Sequence, residues 1–176
     1  MMRSRDVIEV LDALDAAGVP VVIEGGWGVD ALLGSETRDH SDLDVALERS
    51  LLPLAQVVLE KLGFDHAAAA EPGLPARFVM KDGRGRQVDL HPLVFDEAGN
   101  GLQQLTPAGD RWGRYPVPHL QSAGKIGGRT VACISAELQV EFHLGYEQSD
   151  NDRHDLELLA RLADDGPDAD LLDQSP

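Results

Sequence analysis

The sequence predicts an α/β (α+β) protein, with one small mixed β-sheet flanked by helices and more helices at the C-terminal end. Helical and strand-like hydrophobic periods alternate along the first third of the chain, and a β-hairpin pattern follows them. The last apolar segments are again helical, which is typical of helices added to a mixed sheet. The chain has 176 residues, enough to bury a hydrophobic core without disulfides or metals.

Local patterns predict each element in order. Apolar residues at helical spacing indicate helices over 6–17, 28–33, 51–62, 136–146 and 155–163. β-Branched or alternating apolar runs indicate strands over 21–23, 42–47, 76–80, 86–94 and 129–134. Between them we expect a tight turn over 24–27, a loop over 66–75, and a mixed segment with one or two short strands over 96–128. Pro92 indicates that its strand lies near an edge or is ending, and Ser135 is expected to cap the helix that follows it.

Composition limits the partners of the protein. The formal net charge of −16 repels nucleic acids and anionic membranes at long range and attracts small cations, although solubility alone also explains it. The single cysteine, Cys133, cannot form an internal disulfide and is expected to be a small buried side chain. The chain shows neither a signal-peptide pattern nor a membrane-spanning run. We therefore expect a cytoplasmic protein without nucleic-acid or membrane partners.

Two aspartates on one predicted strand are the first candidate for chemistry. Asp42 and Asp44 are two residues apart, so their side chains lie on the same face of the strand. Adjacent carboxylates repel each other unless a cation lies between them. Oxygen ligands of this kind suit Mg²⁺, which also binds substrate phosphates. Acidic pairs without a metal are nevertheless common at strand ends.

The second candidate is the Gly25-Gly26 pair, which follows an apolar strand and precedes a helix. Glycine allows a ligand to approach the backbone closely, and a helix N-terminus offers free N–H groups to a phosphate. The pair matches neither a Walker loop nor a dinucleotide-binding fingerprint. An ordinary turn is the competing interpretation.

Asp89 is the third candidate. It shares a face of its predicted strand with Gln87 and His91, whereas Val88 and Leu90 face the other way. A carboxylate there could complete a metal site or accept a proton from an attacking hydroxyl. The alternative is a solvent-facing aspartate on an edge strand.

The combination is more specific than its parts. A strand, Gly-Gly, a helix, a strand with Asp-x-Asp and a later strand with one more Asp resemble the DNA polymerase beta-like nucleotidyltransferase superfamily. Several strings are similar to its lincosamide and aminoglycoside 2''-nucleotidyltransferase group: EGGWGVDALLG at 24–34, TRDHSDLD at 37–44, VDLHP at 88–92, CISAELQ at 133–139 and HLGYE at 143–147. The resemblance extends from about residue 21 to residue 154 and is densest over 24–44.

This resemblance implies roles for particular residues. Gly25 and Gly26 would hold a triphosphate through backbone amides, Asp42 and Asp44 would bind metal ions, and Asp89 would be a third ligand, the general base or both.

Arg38 would suit a phosphate or an acidic partner, with a salt bridge to Asp30 or Asp39 as the alternative. His91 would contact the acceptor, and His40 is expected at the surface unless it contacts the nucleotide.

The resemblance also implies an activity. We expect a nucleotidyltransferase that uses two Mg²⁺ ions to move a nucleoside monophosphate, AMP in the first instance, from a nucleoside triphosphate to a hydroxyl of a small molecule. Lincosamide and aminoglycoside antibiotics are the candidate acceptors. The alternatives are an antitoxin or regulator of nucleotidyltransferase type that modifies a protein, and a non-catalytic nucleotide-binding module.

The same resemblance implies a nucleotidyltransferase fold in one domain over 1–165. The catalytic core would cover about 6–96, an acceptor or interface part about 97–165, and an acidic tail 166–176. Because proteins of the group that the chain resembles are often dimeric, we also expect a homodimer.

Overall fold

The computed structural model describes residues 1–66, 75–144 and 147–164. Within these ranges the chain forms five α-helices: α1 (Ser4–Ala16), α2 (Gly25–Leu33), α3 (Leu52–Lys61), α4 (Ala136–His143) and α5 (Asp150–Asp164). The same ranges form nine strands: β1 (Val21–Glu24), β2 (Asp42–Glu48), β3 (Phe64–His66), β4 (Phe78–Asp82), β5 (Gln87–Phe95), β6 (Gly101–Gln104), β7 (Trp112–Tyr115), β8 (Ser122–Ile126) and β9 (Arg129–Cys133). The predicted loop interior at 67–74 and the predicted tail at 166–176 lie outside the described residues.

All nine strands of the described ranges belong to one mixed sheet. Its main order is β3-β4-β5-β2-β1-β9-β8, and β6 extends the end of β5 and pairs with β7. The pairs β2–β5 and β1–β9 are parallel, and the other pairs are antiparallel. Strands β1, β2 and β5 therefore lie side by side in the middle of the sheet.

The two faces of the sheet differ in chemistry. On one face, Leu43, Val45 and Leu47 of β2 are buried in a large apolar cluster with residues of α1 and α3. The opposite face carries the polar residues of β2 and β5, and a smaller apolar cluster lies beside them: Ala46, Leu93, Tyr115, Ile134 and Leu138. The period of two along each strand thus sends its apolar side chains to the core and its acidic ones to the other side.

Most predicted elements are present, and the differences have local causes. Helix α2 begins at Gly25, with Glu24 as its N-cap residue in extended conformation, so the predicted separate turn at 24–27 is wrong. The positive φ of Gly25 (60°) lets the chain pass from strand to helix without extra residues. Helix α5 begins at Asp150, five residues before the predicted start, and 96–128 contains three strands instead of one or two.

The edge position predicted from Pro92 is also wrong, because β5 lies in the interior of the sheet. Its antiparallel partner β4 pairs as far as Leu90, and β6 pairs from Leu93 onward. Pro92 lies between these two partners, where one side of the strand changes neighbour. The predicted cap is confirmed, since the Ser135 hydroxyl accepts a hydrogen bond from the amide of Leu138 at 3.3 Å. None of the helices in the described ranges has the length and apolarity needed to cross a membrane.

Asp82 stabilises the β4–β5 hairpin through hydrogen bonds that make the stability of the fold depend on pH. Its carboxylate accepts hydrogen bonds from the amides of Arg84 and Arg86, both at 2.9 Å, and from Arg86 Nε at 2.6 Å. Burial alone would raise the pKa of Asp82, but the bonds from Arg86 and Arg84 outweigh it and lower this pKa to about 2. The folded state thus favours the charged carboxylate.

We expect Asp82→Asn to lower the free energy of unfolding at pH 7 by about 2 kcal/mol. Since the folded pKa lies below the unfolded one, this stabilisation is complete above about pH 5 and is lost as the pH falls through the folded pKa of about 2. Urea denaturation at both pH values measures it, and Glu97→Gln, an exposed carboxylate, is the control. An equal loss of stability at pH 7 and pH 2 would contradict the assignment.

Candidate active site

Three acidic residues form a row across the middle of the sheet. In the strand register, Glu24 of β1 lies opposite Asp44 of β2, and Asp44 lies opposite Asp89 of β5. Residues in register on neighbouring strands have their side chains on the same face. Glu24 and Asp89 are buried, and Asp44 is partly buried. The fold therefore concentrates negative charge where carboxylates repel each other strongly.

His91 lies within this row of carboxylates. Its Nε2 is 3.3 Å from Asp44 Oδ1, and its Nδ1 is 3.1 Å from Glu24 Oε1. Burial by itself lowers the pKa of His91, but the charges of Glu24, Asp44 and Asp89 outweigh that effect and raise it to about 9. The imidazolium thus partly compensates the acidic row.

Asp89 is fully buried beneath the site, so the alternative of a solvent-facing aspartate is wrong. Its carboxylate accepts hydrogen bonds from Arg77 Nη1 at 3.0 Å and Gln87 Nε2 at 2.7 Å. Burial and the charge of Asp44 nevertheless raise the pKa of Asp89 to about 6. A carboxyl group with this pKa changes its protonation state close to neutral pH.

The carboxylates form a candidate metal centre. Asp44, Asp89 and His91 each offer a ligand atom, and these atoms lie within 4.8 Å of one another. Asp42 lies outside this group but on the same face of β2 as Asp44. Burial and the charge of Asp44 raise the pKa of Asp42. Burial is the larger cause of the raised pKa of both Asp42 and Asp89, and the charge of Asp44 is the second. A divalent cation would relieve this second, repulsive part.

The N-terminus of α2 faces this acidic row. A Cβ atom at Gly25 would lie 2.5 Å from Asp44 Oδ2, and one at Gly26 would clash with Arg38 Nη2 and lie 2.6 Å from His40 Nδ1. A side chain at either position would displace Asp44, Arg38 or His40, so only glycine fits without such a shift. The amides at the start of α2 thus lie beside Asp44, where a phosphate would meet both a helix N-terminus and the carboxylates of the candidate metal centre.

Arg38 has an acidic partner that the sequence did not indicate. Its Nε and Nη2 donate to the two carboxylate oxygens of Asp155, at 2.9 and 2.7 Å, so the salt bridge predicted with Asp30 or Asp39 is wrong. Asp30 instead lies 2.6 Å from His40 Nε2. The expectation of a surface histidine is also wrong, since His40 is buried and its ring centroid lies 4.5 Å from that of Trp27.

An open cleft of about 630 Å³ joins these features. Gly25, Gly26, Arg38, Asp42, Asp44 and His91, all predicted from the sequence, line it, whereas Asp89 lies beneath its surface. Sequence reasoning assigned no role to the other polar and aromatic residues that line the cleft: Glu24, Ser41, Gln103, Tyr115, Gln139, Glu141, Phe142, His143, Ser149, Asn151 and Asp152. Glu24, Ser41, Gln139 and His143 lie in the strings that carry the family resemblance, which could have indicated them. The rest come from other strands and helices without such a string.

Comparisons with known proteins agree with this geometry. A sequence model of the aminoglycoside-2''-adenylyltransferase family matches residues 6–159. The chain belongs to the aminoglycoside-2''-adenylyltransferase family. It is 28% identical to a lincosamide resistance protein of Staphylococcus haemolyticus, over 92% of this chain and 96% of that protein. A 2''-aminoglycoside nucleotidyltransferase of Escherichia coli is 36% identical over 55 residues, 31% of each chain.

Solved structures show the same fold. The lincomycin-bound crystal structure of the lincosamide antibiotic adenylyltransferase LnuA has a TM-score of 0.76 and 26% identity, covering 90% of this chain and 96% of that one. The structure of ANT(2'')-Ia in complex with adenylyl-2''-tobramycin has a TM-score of 0.69 and 22% identity, covering 90% of this chain and 87% of that one. The predicted nucleotidyltransferase fold is confirmed, and family membership makes the protein a nucleotidyltransferase.

Proposed function

We propose that this protein is a metal-dependent nucleotidyltransferase that moves AMP from ATP to a hydroxyl group of a small cationic molecule and releases pyrophosphate. The observation that supports it most is the acidic row Glu24, Asp44 and Asp89 beside the N-terminus of α2. It combines a place for phosphate with carboxylates for a metal, the two requirements of this reaction. Membership of an adenylyltransferase family supports the choice of AMP.

The nucleotide would bind at the start of α2. Gly25 and Gly26 would donate backbone N–H groups to the triphosphate, and the close approach at both positions supports this. Arg38 lines the same part of the cleft and supplies a fixed positive charge. Most of the catalytic effect would come from positioning and electrostatic stabilisation of the phosphates.

The donor set fits Mg²⁺. Asp42, Asp44 and Asp89 would hold two ions, because carboxylate oxygens are the ligands that this metal prefers. Bound Mg²⁺ would neutralise phosphate charge and lower the pKa of the acceptor hydroxyl. His91 lies 3.1 Å from Glu24 Oε1 and 3.3 Å from Asp44 Oδ1 and would orient both carboxylates. Its predicted contact with the acceptor stays a prediction.

Asp89 would accept the proton of the attacking hydroxyl. Asp89 lies opposite Asp44 in the strand register and within the candidate metal centre, where a carboxylate is suited to take the proton of a hydroxyl bound there. Its hydrogen bonds from Arg77 and Gln87 fix the carboxylate from two sides. The hydroxyl oxygen would then attack the α-phosphorus, and pyrophosphate would leave.

The remainder of the cleft would receive the acceptor. Helix α4 and the start of α5 contribute Glu141, Ser149, Asn151 and Asp152 to its wall. This wall is acidic and rich in hydrogen-bonding groups, so it favours a hydroxylated molecule with positively charged amines. Such an acceptor agrees with the aminoglycosides and lincosamides named for the relatives. A homodimer and a cytoplasmic location stay predictions.

Pyrophosphate release tests this function directly. The purified protein would be incubated with Mg²⁺ and each nucleoside triphosphate, in the presence of a panel of aminoglycosides, lincosamides and other hydroxylated amines. We expect release that requires both ATP and one class of acceptor, with a product heavier by one AMP group. Nucleotide binding without release for any acceptor would contradict transfer to a small molecule and favour a protein acceptor or a binding module.

The charge of the acceptor wall gives a further prediction. We expect Glu141→Gln to raise the KM of a cationic acceptor about threefold and to leave that of an uncharged hydroxylated acceptor unchanged, because an exposed charge pair contributes little but measurably. Glu137→Gln makes the same charge change on the same helix outside the cleft lining and is the control. Equal KM changes for charged and uncharged acceptors would argue against this electrostatic role.

A further inference from the structure

The salt bridge between Arg38 and Asp155 connects the nucleotide end of the cleft to the last described helix. Both carboxylate oxygens of Asp155 accept a hydrogen bond from the guanidinium, a bidentate arrangement that fixes the plane of the arginine. The two residues are 117 positions apart in the sequence. Arg38 precedes β2 and Asp155 lies in α5, so the tertiary fold alone brings them together.

The burial of Asp155 makes this pair unusual. Its side chain is 1% exposed, and it lies one helical turn before the buried Leu159, on the face of α5 that packs against α2 and α4. A helix can dock with apolar residues alone, whereas a buried carboxylate carries a large desolvation cost. Arg38 compensates this charge, and His143 Nε2 lies 3.8 Å from Asp155 Oδ2, the oxygen that Arg38 Nη2 also binds.

The pair also determines where the guanidinium lies. Arg38 Nη2 occupies the space into which a side chain at Gly26 would project, directly at the N-terminus of α2. Of the five N–H donors of an arginine, two bind Asp155 and a third binds the carbonyl oxygen of Asp39 at 3.2 Å. Within the described contacts, two donors remain for a ligand in the cleft.

We propose that Asp155 is a positioning residue, which holds the guanidinium of Arg38 over the N-terminus of α2 and so makes α5 a part of the nucleotide site. This inference rests on the proposed function, because it assigns Arg38 to the phosphates of the nucleotide. Without Asp155, the long side chain of Arg38 would sample several rotamers, and each encounter with nucleotide would have to order it again. Loss of Asp155 should therefore lower the affinity for the nucleotide more than it slows the chemical step.

The first test compares steady-state kinetics of Asp155→Asn with the native protein. We expect the KM for ATP to rise about tenfold, with a smaller change in kcat and an unchanged KM for the acceptor. Glu157→Gln removes an exposed carboxylate of the same helix two residues away and is expected to change none of these values. An unchanged KM for ATP in a folded Asp155→Asn protein would overturn the inference.

A double-mutant cycle separates positioning from a merely structural role. If Asp155 acts through Arg38, Asp155→Asn should have no further effect on kcat/KM for ATP in an Arg38→Ala background. Arg38→Lys replaces Arg38→Ala in the cycle if the latter does not fold, since it keeps the charge but loses the bidentate geometry. Independent, additive effects would assign Asp155 to helix docking only. Absence of both turnover and nucleotide binding in the native protein would refute the proposed function itself, which keeps the two failures distinct.

Discussion

Replacing Asp44 by Asn should abolish nucleotide transfer and leave the fold intact. Asp44 is the central member of the acidic row, opposite Glu24 and Asp89 in the register, and its carboxylate belongs to the candidate metal centre. An amide keeps the shape but removes the negative charge that a divalent cation requires. Since metal binding supplies several kcal/mol of charge stabilisation, we expect kcat/KM to fall about a thousandfold or more.

The thermal stability of the Asp44→Asn protein, unlike its activity, should stay the same or rise slightly. Asp44→Asn removes one of several crowded carboxylates, so thermal unfolding in the absence of metal is expected at the native temperature or slightly above it. Asp65→Asn, an exposed residue of β3, is the matched control and should retain full activity. Pyrophosphate release together with calorimetric titration of Mg²⁺ and ATP measures both effects. Near-native turnover in a folded Asp44→Asn protein would rule out the metal assignment.

Gly25→Ala should have the second largest effect, because two penalties act at one position. Gly25 has a φ of 60°, which a residue with a side chain adopts at a cost of about 1–2 kcal/mol. Its new Cβ atom would also lie 2.5 Å from Asp44 Oδ2, so the carboxylate or the start of α2 must move. We expect activity to fall at least about a hundredfold, since small displacements of reacting groups have effects of this size.

A second variant, Gly34→Ala, has the backbone penalty of a positive φ without the steric clash. Gly34 ends the same helix with a φ of 73°, but its added Cβ would have no atom within 4 Å. We expect a similar loss of stability, about 1 kcal/mol, with nearly unchanged turnover. Steady-state kinetics and thermal denaturation of the two variants give the comparison. Equal losses of activity in both would show that backbone strain, and not displacement of Asp44, is responsible.

The candidate site was predictable where its chemistry is local in the sequence. Gly25 and Gly26 follow an apolar strand, and Asp42 and Asp44 alternate with buried residues, so local patterns select these groups as candidates. The pairing of β1 with β2 then brings them together. The period of two also predicted that Asp89 and His91 share a face of β5, and the structure places His91 against Asp44. The chemical roles of these residues, and the division into a core at about 6–96 and a second part at about 97–165, stay predictions.

The errors arose where long-range pairing determines the environment. Asp89 is buried, and the edge position inferred from Pro92 failed, because β5 is flanked by β2 on one side and by β4 and β6 on the other. The alternative for Arg38, a salt bridge to Asp30 or Asp39, considered only neighbours in sequence, whereas its partner Asp155 lies 117 positions away. A salt bridge between distant elements leaves no periodic pattern in the chain, so local reasoning had no means of finding it.

The sequence by itself determined the class of fold, the order of most helices and strands, and which glycine and aspartate pairs are candidates for the site. These properties depend on spacing within a few residues, which hydrophobic periodicity and turn chemistry express directly. Only the tertiary structure decided that Glu24 joins the acidic row, that His91 is held between Glu24 and Asp44, and that α5 reaches Arg38 through Asp155. Strand register and helix docking bring these groups together, and both depend on how the whole core packs.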